Sequence, residues 1–538
     1  MDQLPSDILN LIFTQLPFKQ KKECMLVCQI WKDIIENRCL FHTLEISDEE
    51  RFNEFMDLMK QTPSFRKQVV DLAVLTYWRV QDINNFIEYF PNLTNFSFTR
   101  RSEDQVHYVD SDATSKSRMR FIRDGDSCIL LHAFVKAGLC SRLDEICLVS
   151  FEPEVLPILK DMPYLTTLLL QYSYVDIAQL EMLHKNLPTL KYIAVDIERF
   201  DYPIPTHIIP AVSITGLCVQ MEYPSQNDQI NWLLYVSKKY PNLTMYYPEI
   251  ETRGYEPEEK EDFKSVFLRA YEPFLKSVGS QLTSINLPGA QFDNFEIFQK
   301  MDENGCQINT MILFSDEDNS WTSALPQSNQ AKSLEYLTVH DTRPLLFDWL
   351  KSMKKLKSLC ISTSSDEFED SDKIDINMAL ESCSKTVKKI EINGGHYCVN
   401  SDVDDVFDIE EMRLDYGWAP TNIGQFIANC LPNLHTLSLN GSLHSDLNLI
   451  LPNHHFSYVR LYFYEADKSH GNYALTTLKD SEQYRFRTKD KETLIEMSFY
   501  DKFIGPIPED SFNGDPFIEL VFGSVRKLIL DDYQALLM

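Results

Sequence analysis

One spacing, apolar-x-x-apolar-x-apolar, returns along nearly the whole chain and constrains its fold more than any other feature. The clearest copies are Leu165-x-x-Leu168-x-Leu170, Leu190-x-x-Ile193-x-Val195, Leu334-x-x-Leu337-x-Val339, Leu356-x-x-Leu359-x-Ile361 and Leu434-x-x-Leu437-x-Leu439. Weaker copies begin at Val69, Leu93, Leu143, Ile214, Leu243, Leu282, Ile308, Val387, Ile409, Tyr458, Leu494 and Val525. Each copy reads as a short strand. Amphipathic helices are predicted between copies, over Ile83–Phe90, Ala178–Leu187, Ile230–Tyr240 and Ile423–Leu431. Proline stands just ahead of several strands, as in Pro91-Asn92-Leu93, Pro188-Thr189-Leu190, Pro241-Asn242-Leu243 and Pro432-Asn433-Leu434, where it ends a helix and turns the chain. A helix–strand pair has an apolar face that it cannot bury alone. Stacking such pairs makes a parallel sheet on the inside and a helical layer on the outside. A conventional α/β domain also alternates helix and strand, but it does not need the same spacing so many times. The expected fold is therefore an α/β solenoid.

Most successive copies lie twenty-odd residues apart, and in this the chain resembles the leucine-rich repeats. The Asn that follows the strand in many extracellular repeats is missing, so the likeness is to irregular members. Three stretches break the period. Thr99 to Asp126 is polar and carries Arg100, Arg101, Lys116, Arg118, Arg120 and Arg123; it reads either as a loop across the solenoid or as a disordered insertion. An acidic turn, Glu256 to Asp262, precedes a long helix. Tyr473 to Lys489 reads as a hairpin or a short extra helix.

The first residues follow a different rule. Pro5 suits the first turn of a helix, and Ile8, Leu9, Ile12, Phe13 and Leu16 recur at helical spacing until Pro17 stops them. A second helix is expected over Lys19 to Ile35. Cys24, Val27, Cys28, Trp31 and Ile35 would lie on one of its faces, with Leu26 and Ile30 on the other. A helix apolar on two faces must be buried on both, and about forty residues cannot do that alone. This segment calls for the rest of the chain on one side and a partner on the other. Leu4-Pro5, Ile8-Leu9, Ile12-Phe13, Leu26-Val27-Cys28 and Trp31, in that order, resemble the F-box. The basic turn Phe18 to Glu23 departs from the family pattern. The resemblance implies binding of the Skp adaptor of a Skp–cullin–F-box ubiquitin ligase, and through it cullin. The adaptor contacts would be Leu4, Pro5, Ile8, Leu9, Ile12, Phe13, Leu16, Leu26, Val27, Ile30 and Trp31. The expected organisation is an F-box over residues 1–46 and a solenoid over 47–538, with insertions near 99–127, 248–262 and 465–490.

Composition narrows the function. The net charge is −29, and residues 1–40 are balanced, so the acidity lies downstream. That speaks against a nucleic-acid backbone as ligand and suits either solubility or a basic partner. No signal-peptide pattern and no membrane-length apolar run is present. The twelve cysteines show neither C-x-x-C nor paired metal spacing, and they read as reduced thiols of a cytoplasmic or nuclear protein. No catalytic or phosphate-binding motif appears, His454-His455 is not spaced for one helix face, and Cys24 and Cys28 read as core. Neither a cofactor nor a metal is expected.

In a solenoid the residue between the last two apolar positions, and those two before and after it, face the concave side of the sheet. This predicts one patch from Lys389, Glu391, Asn393, Glu411, Arg413, Asp415, Thr436, Ser438, Asn440, Arg460, Tyr462 and Tyr464. Its candidates for holding a protein substrate are Lys389, Glu391, Glu411, Arg413, Asp415, Arg460, Tyr462 and Tyr464. Some of these charges read equally well as cross-strand pairs that hold the sheet. The expected function is substrate recognition for a cullin-type ligase. The alternative is an F-box repeat protein that binds a partner as a scaffold, without a ligase role.

Overall fold

Strands do recur at the expected spacing, and they lie side by side in parallel. The computed structural model describes the chain except residues 1–4, 15, 17–20, 23, 47–48, 76–88, 99–117, 126–127, 129–130, 133–134, 136–138, 150–154, 198–206, 223–225, 252–259, 288–293, 315–320, 341–346, 363–372, 395, 401–404, 419, 421, 443–447, 464–471, 478–481, 488–494, 499–516, 526 and 533–538. It forms two compact units, Met1–Glu256 and Pro257–Met538.

In the first unit, α1 (Ser6–Thr14) and α2 (Gln29–Ile34), continued by a π-turn over Ile35–Cys39, precede the repeats. The sheet then runs β1 (Thr43–Ile46), β2 (Asp71–Val74), β3 (Asn95–Phe98), β4 (Phe121–Asp124), β5 (Glu145–Val149), β6 (Thr167–Val175), β7 (Tyr192–Ile197), β8 (Gly216–Glu222) and β9 (Met245–Glu251). Each strand pairs in parallel with the next, and equivalent apolar residues stand side by side: Leu72 opposite Phe96, Ile146 opposite Leu168, Ile193 opposite Leu217. All six are completely buried. Helices α3 (Glu49–Gln61), α4 (Ile177–Asn186) and α5 (Gln226–Lys239) lie between strands. Helix α4 starts with a reciprocal cap: Asp176 accepts from the Gln179 N–H at 2.7 Å, and the Gln179 side chain accepts from the Asp176 N–H at 2.9 Å.

The turn ahead of each strand shows why the Pro-Asn-Leu and Thr positions repeat. The Asn92 amide donates to the Lys67 carbonyl at 2.5 Å and Asn242 to Val212 at 2.7 Å. The hydroxyls of Thr94, Thr166 and Thr244 donate to Val70, Asp144 and Thr215 carbonyls at 3.0–3.1 Å. These repeats thereby satisfy backbone acceptors of the ones before them.

The second unit continues the pattern with β10 (Ser284–Leu287), β11 (Thr310–Phe314), β12 (Tyr336–His340), β13 (Ser358–Ser362), β15 (Lys389–Asn393), β17 (Glu411–Trp418), β18 (Thr436–Ser442), β20 (Tyr458–Phe463) and β25 (Lys527–Asp532), again parallel in that order. Short strands β14 (Lys373–Asp375) and β16 (His396–Cys398) pair beside them. Helices α6 (Lys260–Val278), α7 (Asn294–Glu303), α8 (Ile376–Ser382) and α9 (Ile423–Cys430) belong to this unit. A second sheet is made by β19 (Asn448–Phe456), β24 (Phe517–Val525), β21 (Asn472–Thr477) and β22 (Glu482–Arg487), the last two an antiparallel hairpin.

Several expectations change. The helix predicted over Lys19–Ile35 is broken: Met25 to Val27 form a turn, and Cys28 is an extended cap residue at φ −160° and ψ 162°. Cys24 and Cys28 therefore do not share a continuous helix and are half-buried rather than core. Two repeats were not expected. One is β1, from Phe41-x-x-Leu44-x-Ile46, which pairs with β2 and starts the sheet inside the segment assigned to the F-box. The other is β4, inside the supposed insertion, where Asp124 takes the last apolar place. Its buried carboxylate accepts the Leu131 N–H at 3.0 Å. The expected copy at Leu494 is not a parallel repeat; β23 (Ile495–Ser498) runs antiparallel to β25. The copy at Tyr458 is shifted by two, since Val459 and Leu461 lie opposite Leu437 and Leu439. A shift of two keeps every side chain on its face.

Candidate functional site

Two kinds of exposed surface stand out, one at the N-terminus and one on the sheet. In α1 the periodic apolar residues divide. Leu9 and Phe13 turn inward and are buried, and the Phe13 ring meets Trp31 edge-on at 5.1 Å. Ile8, Leu11 and Ile12 are exposed. The turn at Met25–Val27 and the extended Cys28 push a second set outward: Leu26 is 87%, Val27 63% and Ile30 61% exposed. Ile34, Ile35 and Cys39 pack inward instead, and the buried Gln68 side chain joins this segment to the repeats by donating to the Glu36 carbonyl and accepting the Phe41 N–H. Of the expected adaptor contacts, Pro5, Ile8, Ile12, Leu26, Val27 and Ile30 are exposed, Leu16 and Trp31 are half-buried, and Leu9 and Phe13 are core. Leu4 lies outside the described residues. Leu11 was missed; it stands off the apolar spacing of α1, which was its signal.

On the concave side of the second unit, register places Lys389 beside Glu411, Glu391 beside Arg413, and Asn393 beside Asp415. Ser438 joins Arg413 to Arg460 across β18. The register thus sets Lys389, Glu391, Asn393, Glu411, Arg413, Asp415, Thr436, Ser438, Asn440 and Arg460 side by side, but much of the charge is used internally. Lys389 Nζ lies 3.9 Å from Glu391 and 3.7 Å from Glu411. Arg413 Nε and the Asn440 amide both donate to the Asp415 carboxylate. Asp415 is 1% exposed, so it is a buried anchor and not a contact residue. Burial raises its pKa, while Arg413 and Asn440 oppose the rise. Lys389, Glu411 and Arg413 keep nearly half their side chains open to solvent. The Tyr462 side chain and all of Tyr464 lie outside the described residues.

The concave side of the first unit was not predicted as a site. Its outward rows can be read across the strands: Asp71, Asn95, Phe121, Glu145, Thr167, Tyr192, Gly216, Met245; then Glu45, Ala73, Ser97, Arg123, Cys147, Leu169, Ala194, Cys218, Tyr247; then Tyr174, Asp196, Gln220, Glu249 towards the strand ends. The carboxylates Glu45, Asp71, Glu145, Asp196 and Glu249 share these rows with a single guanidinium, Arg123. Tyr192 leans across onto Gly216, where an added Cβ would fall 2.5 Å from its ring. Burial pushes the Tyr192 phenol up to about 12 and the Cys218 thiol up to about 11, with Glu249 adding to both. Beside this floor, β6 carries a bulge between Leu169 and Tyr174. Tyr172 sits there at φ 52°, and both tyrosines of the bulge are exposed.

All twelve cysteines are free thiols. Burial pushes Cys39 up to about 11 and Cys306, Cys360 and Cys383 to about 12, which keeps them protonated near neutral pH. Among the described residues no group of three or more His, Cys, Asp or Glu side chains is placed to hold a metal ion. His454 is buried with Nε2 2.8 Å from the Leu431 carbonyl. Among the described residues, no helix is long and apolar enough to cross a membrane.

Comparison with known proteins identifies the N-terminal segment. Residues 1–43 match the F-box domain model. No curated protein matches the chain in sequence. Among solved structures there is a likeness to an internalin from Listeria monocytogenes, at 14% identity and a TM-score of 0.23, covering 70% of this chain and 76% of that one.

Proposed function

We propose that this chain, an F-box followed by a leucine-rich-repeat-type solenoid, is the substrate-recognition subunit of a Skp–cullin–F-box ubiquitin ligase. The observation that carries the reading is the outward set Ile8, Leu11, Ile12, Leu26, Val27 and Ile30, six large apolar side chains exposed on α1, the Met25–Val27 turn and α2 within the first thirty residues. Exposed singly they would mean little; gathered together they mark a protein interface. F-box domains as a class bind Skp-type adaptors, and this set is what such an adaptor would cover. Through the adaptor the chain would reach cullin. The repeats would hold a protein substrate, while a recruited enzyme supplies the thioester chemistry, so the receptor needs no active site of its own. Free and protonated thiols suit the reducing cytoplasm or nucleus, where such a ligase works.

The test is capture of a purified Skp adaptor by the full chain. Leu26→Ala with Ile30→Ala should weaken capture at least tenfold, roughly, since truncated interface anchors commonly cost that much. Thermal melting should stay unchanged, because both side chains are already in solvent. Normal capture by this variant would remove the adaptor reading. Adaptor binding without cullin recruitment or ubiquitylation of any bound protein would leave a scaffold.

A further inference from the structure

We infer that the turns leading into β12, β13 and β15 dock an acidic segment of a partner protein, a short run of aspartate or glutamate laid across a row of lysines. The inference goes beyond the proposed function and holds for a ligase receptor and a scaffold alike.

The sequence concentrates the charge. The chain has 80 acids against 51 lysines and arginines, yet Trp349 to Ser365 and Ser382 to Ile390 together hold seven lysines and no acid. Register then stacks them. Tyr336 stands opposite Ser358, and Ser358 opposite Lys389. Four residues ahead of these stand Lys332, Lys354 and Lys385, one lysine per repeat at the same place in the turn. The turns are tied alike. The Ser333 hydroxyl donates to the Ile308 carbonyl at 2.9 Å and the Thr386 hydroxyl to the Leu356 carbonyl at 2.7 Å, each acceptor two residues ahead of the preceding strand. Thr386 also reaches the Lys354 carbonyl at 3.2 Å, which holds the last two lysine turns side by side. Lys355 stands in the adjoining row, between Ser333 and Thr386, and all four lysines are exposed.

Their neighbours are neutralised and they are not. One residue ahead of the strands, Lys357 pairs with Glu335 at 2.6 Å and Lys388 with Glu410 at 3.1 Å. Lys351 pairs with Asp348, and Lys389 lies near Glu391 and Glu411. Among the described residues no carboxylate lies within ion-pair distance of Lys332, Lys354, Lys355 or Lys385; Lys332 donates to the Asn329 side-chain carbonyl at 2.8 Å. Like charges set side by side across repeats repel. The row therefore destabilises the free chain slightly, and an anion lying on it relieves the repulsion. The length of the row selects the anion. Three turns span two strand spacings, about 10 Å, which is the reach of roughly three residues of extended chain. At the same place in the turns of β11 and β17 stand the uncharged Cys306 and Phe407. A nucleic acid or an anionic membrane would extend past the row and meet the chain's excess charge of −29, whereas a short acidic segment stays on it.

The experiment reads fluorescence anisotropy on the full chain with fluorescein-labelled probes, at low and at physiological salt. One probe is a peptide with a short glutamate run between glycine–serine flanks, the second has glutamine in place of glutamate, and the third is a single-stranded oligothymidylate of the same net charge as the first. The glutamate peptide should bind, more weakly as salt rises; the glutamine peptide should not bind, and the oligonucleotide should bind about tenfold more weakly or not at all. Lys354→Gln with Lys385→Gln should weaken glutamate-peptide binding about tenfold and flatten its salt dependence. The same variant should melt no lower than the parent, and slightly higher at low salt, because it removes a repulsion. A control, Lys160→Gln with Lys185→Gln, removes equal charge from exposed positions of the first unit and should bind as the parent does. The inference is overturned if the glutamate peptide does not bind, if the row variant keeps full affinity, or if the control weakens binding as much as the row variant. Equal or tighter binding of the oligonucleotide would overturn the assignment to a protein segment. A lower melting temperature in the row variant would show that these lysines hold the fold, and would overturn it as well.

Discussion

Replacing Gly216 by Ala should destabilise the first unit in the parent chain and stabilise it once Tyr192 is removed. Gly216 stands directly opposite Tyr192 across β7 and β8. A Cβ on residue 216 would lie 2.5 Å from Tyr192 Cδ2, 3.2 Å from Cε2 and 3.6 Å from Cγ. These are atoms at the root and side of the ring, so the whole side chain must swing away. Overpacking of this kind costs about 1–3 kcal/mol. Against it, Ala in a strand is favoured over Gly by about 0.5–1 kcal/mol, because less backbone entropy is lost. The net loss expected for Gly216→Ala is therefore between about 0 and 2.5 kcal/mol. In a Tyr192→Ala background the clash is absent, and the same substitution should gain about 0.5–1 kcal/mol. The coupling between the two sites would be about 1–3 kcal/mol. Thermal melting of the four proteins reads it out, at roughly 2–4 °C per kcal/mol for a unit of this size. The same sign in both backgrounds would show that the ring does not lie over residue 216. The β7–β8 register would then be wrong.

Two further predictions concern the helical layer of the same unit. Lys239 is 2% exposed; its Nζ donates to Glu181 at 2.6 Å and to the Ile209 carbonyl at 2.9 Å, and the Tyr235 hydroxyl donates to the same carboxylate at 2.7 Å. Glu181→Ala should cost about 3–5 kcal/mol by stranding a buried ammonium, and adding Lys239→Met should recover most of it; no recovery in the double variant's melting temperature would refute the pairing. His184 Nε2 lies 2.7 Å from the Tyr240 hydroxyl, and burial, with Lys239 nearby, holds its imidazole down at about 3. The unfolded chain takes up that proton below about pH 6.5, so the stability is full above 6.5 and is lost as pH falls towards 3, by about 1.4 kcal/mol per unit. His184→Gln should flatten the acid side of the melting-temperature profile, and an unchanged slope would count against a buried neutral histidine.

The solenoid was legible in the sequence because its signal repeats. One weak copy is corrected by its neighbours, and parity is robust to error. At Tyr458 the residues Val459, Leu461 and Phe463 fit two frames, and only pairing with β18 chooses between them; either frame puts Arg460 on the same side as Ser438. The failures have local causes. Asp124 hid a repeat because a buried carboxylate satisfied by a backbone N–H does the work of an apolar residue there. Phe41-x-x-Leu44-x-Ile46 was hidden by its position next to the F-box. The expected second helix failed at Met25–Val27, where the apolar spacing suits a helix but the exposed Leu26 and Val27 gain nothing from one. In the last repeats β19 and β24 take the place between strands that helices hold in other repeats, and Leu449 and Leu451 buried on either side of exposed Ile450 show the period of two that marks a strand.

The placement of charge was the least legible property, because composition reports a sum and recognition depends on where the members of the sum lie. The excess of −29 reads as solubility when taken whole. On the sheet it separates into two situations. At β15 and β17 the charges are spent on one another. Lys389 sits between Glu391 and Glu411, and Arg413 and Asn440 hold a carboxylate that solvent hardly reaches. Reversing Arg413 there would strand Asp415, so a lost partner could not be told from a lost fold. At β7 to β9 the register sets Asp196, Gln220 and Glu249 side by side, with Tyr192 opposite Gly216 and Tyr247 opposite Cys218 in the rows beside them. Charge that the sheet has already neutralised offers little to a partner, so the acids and bases of β15 and β17 act first as cross-strand pairs that hold the sheet.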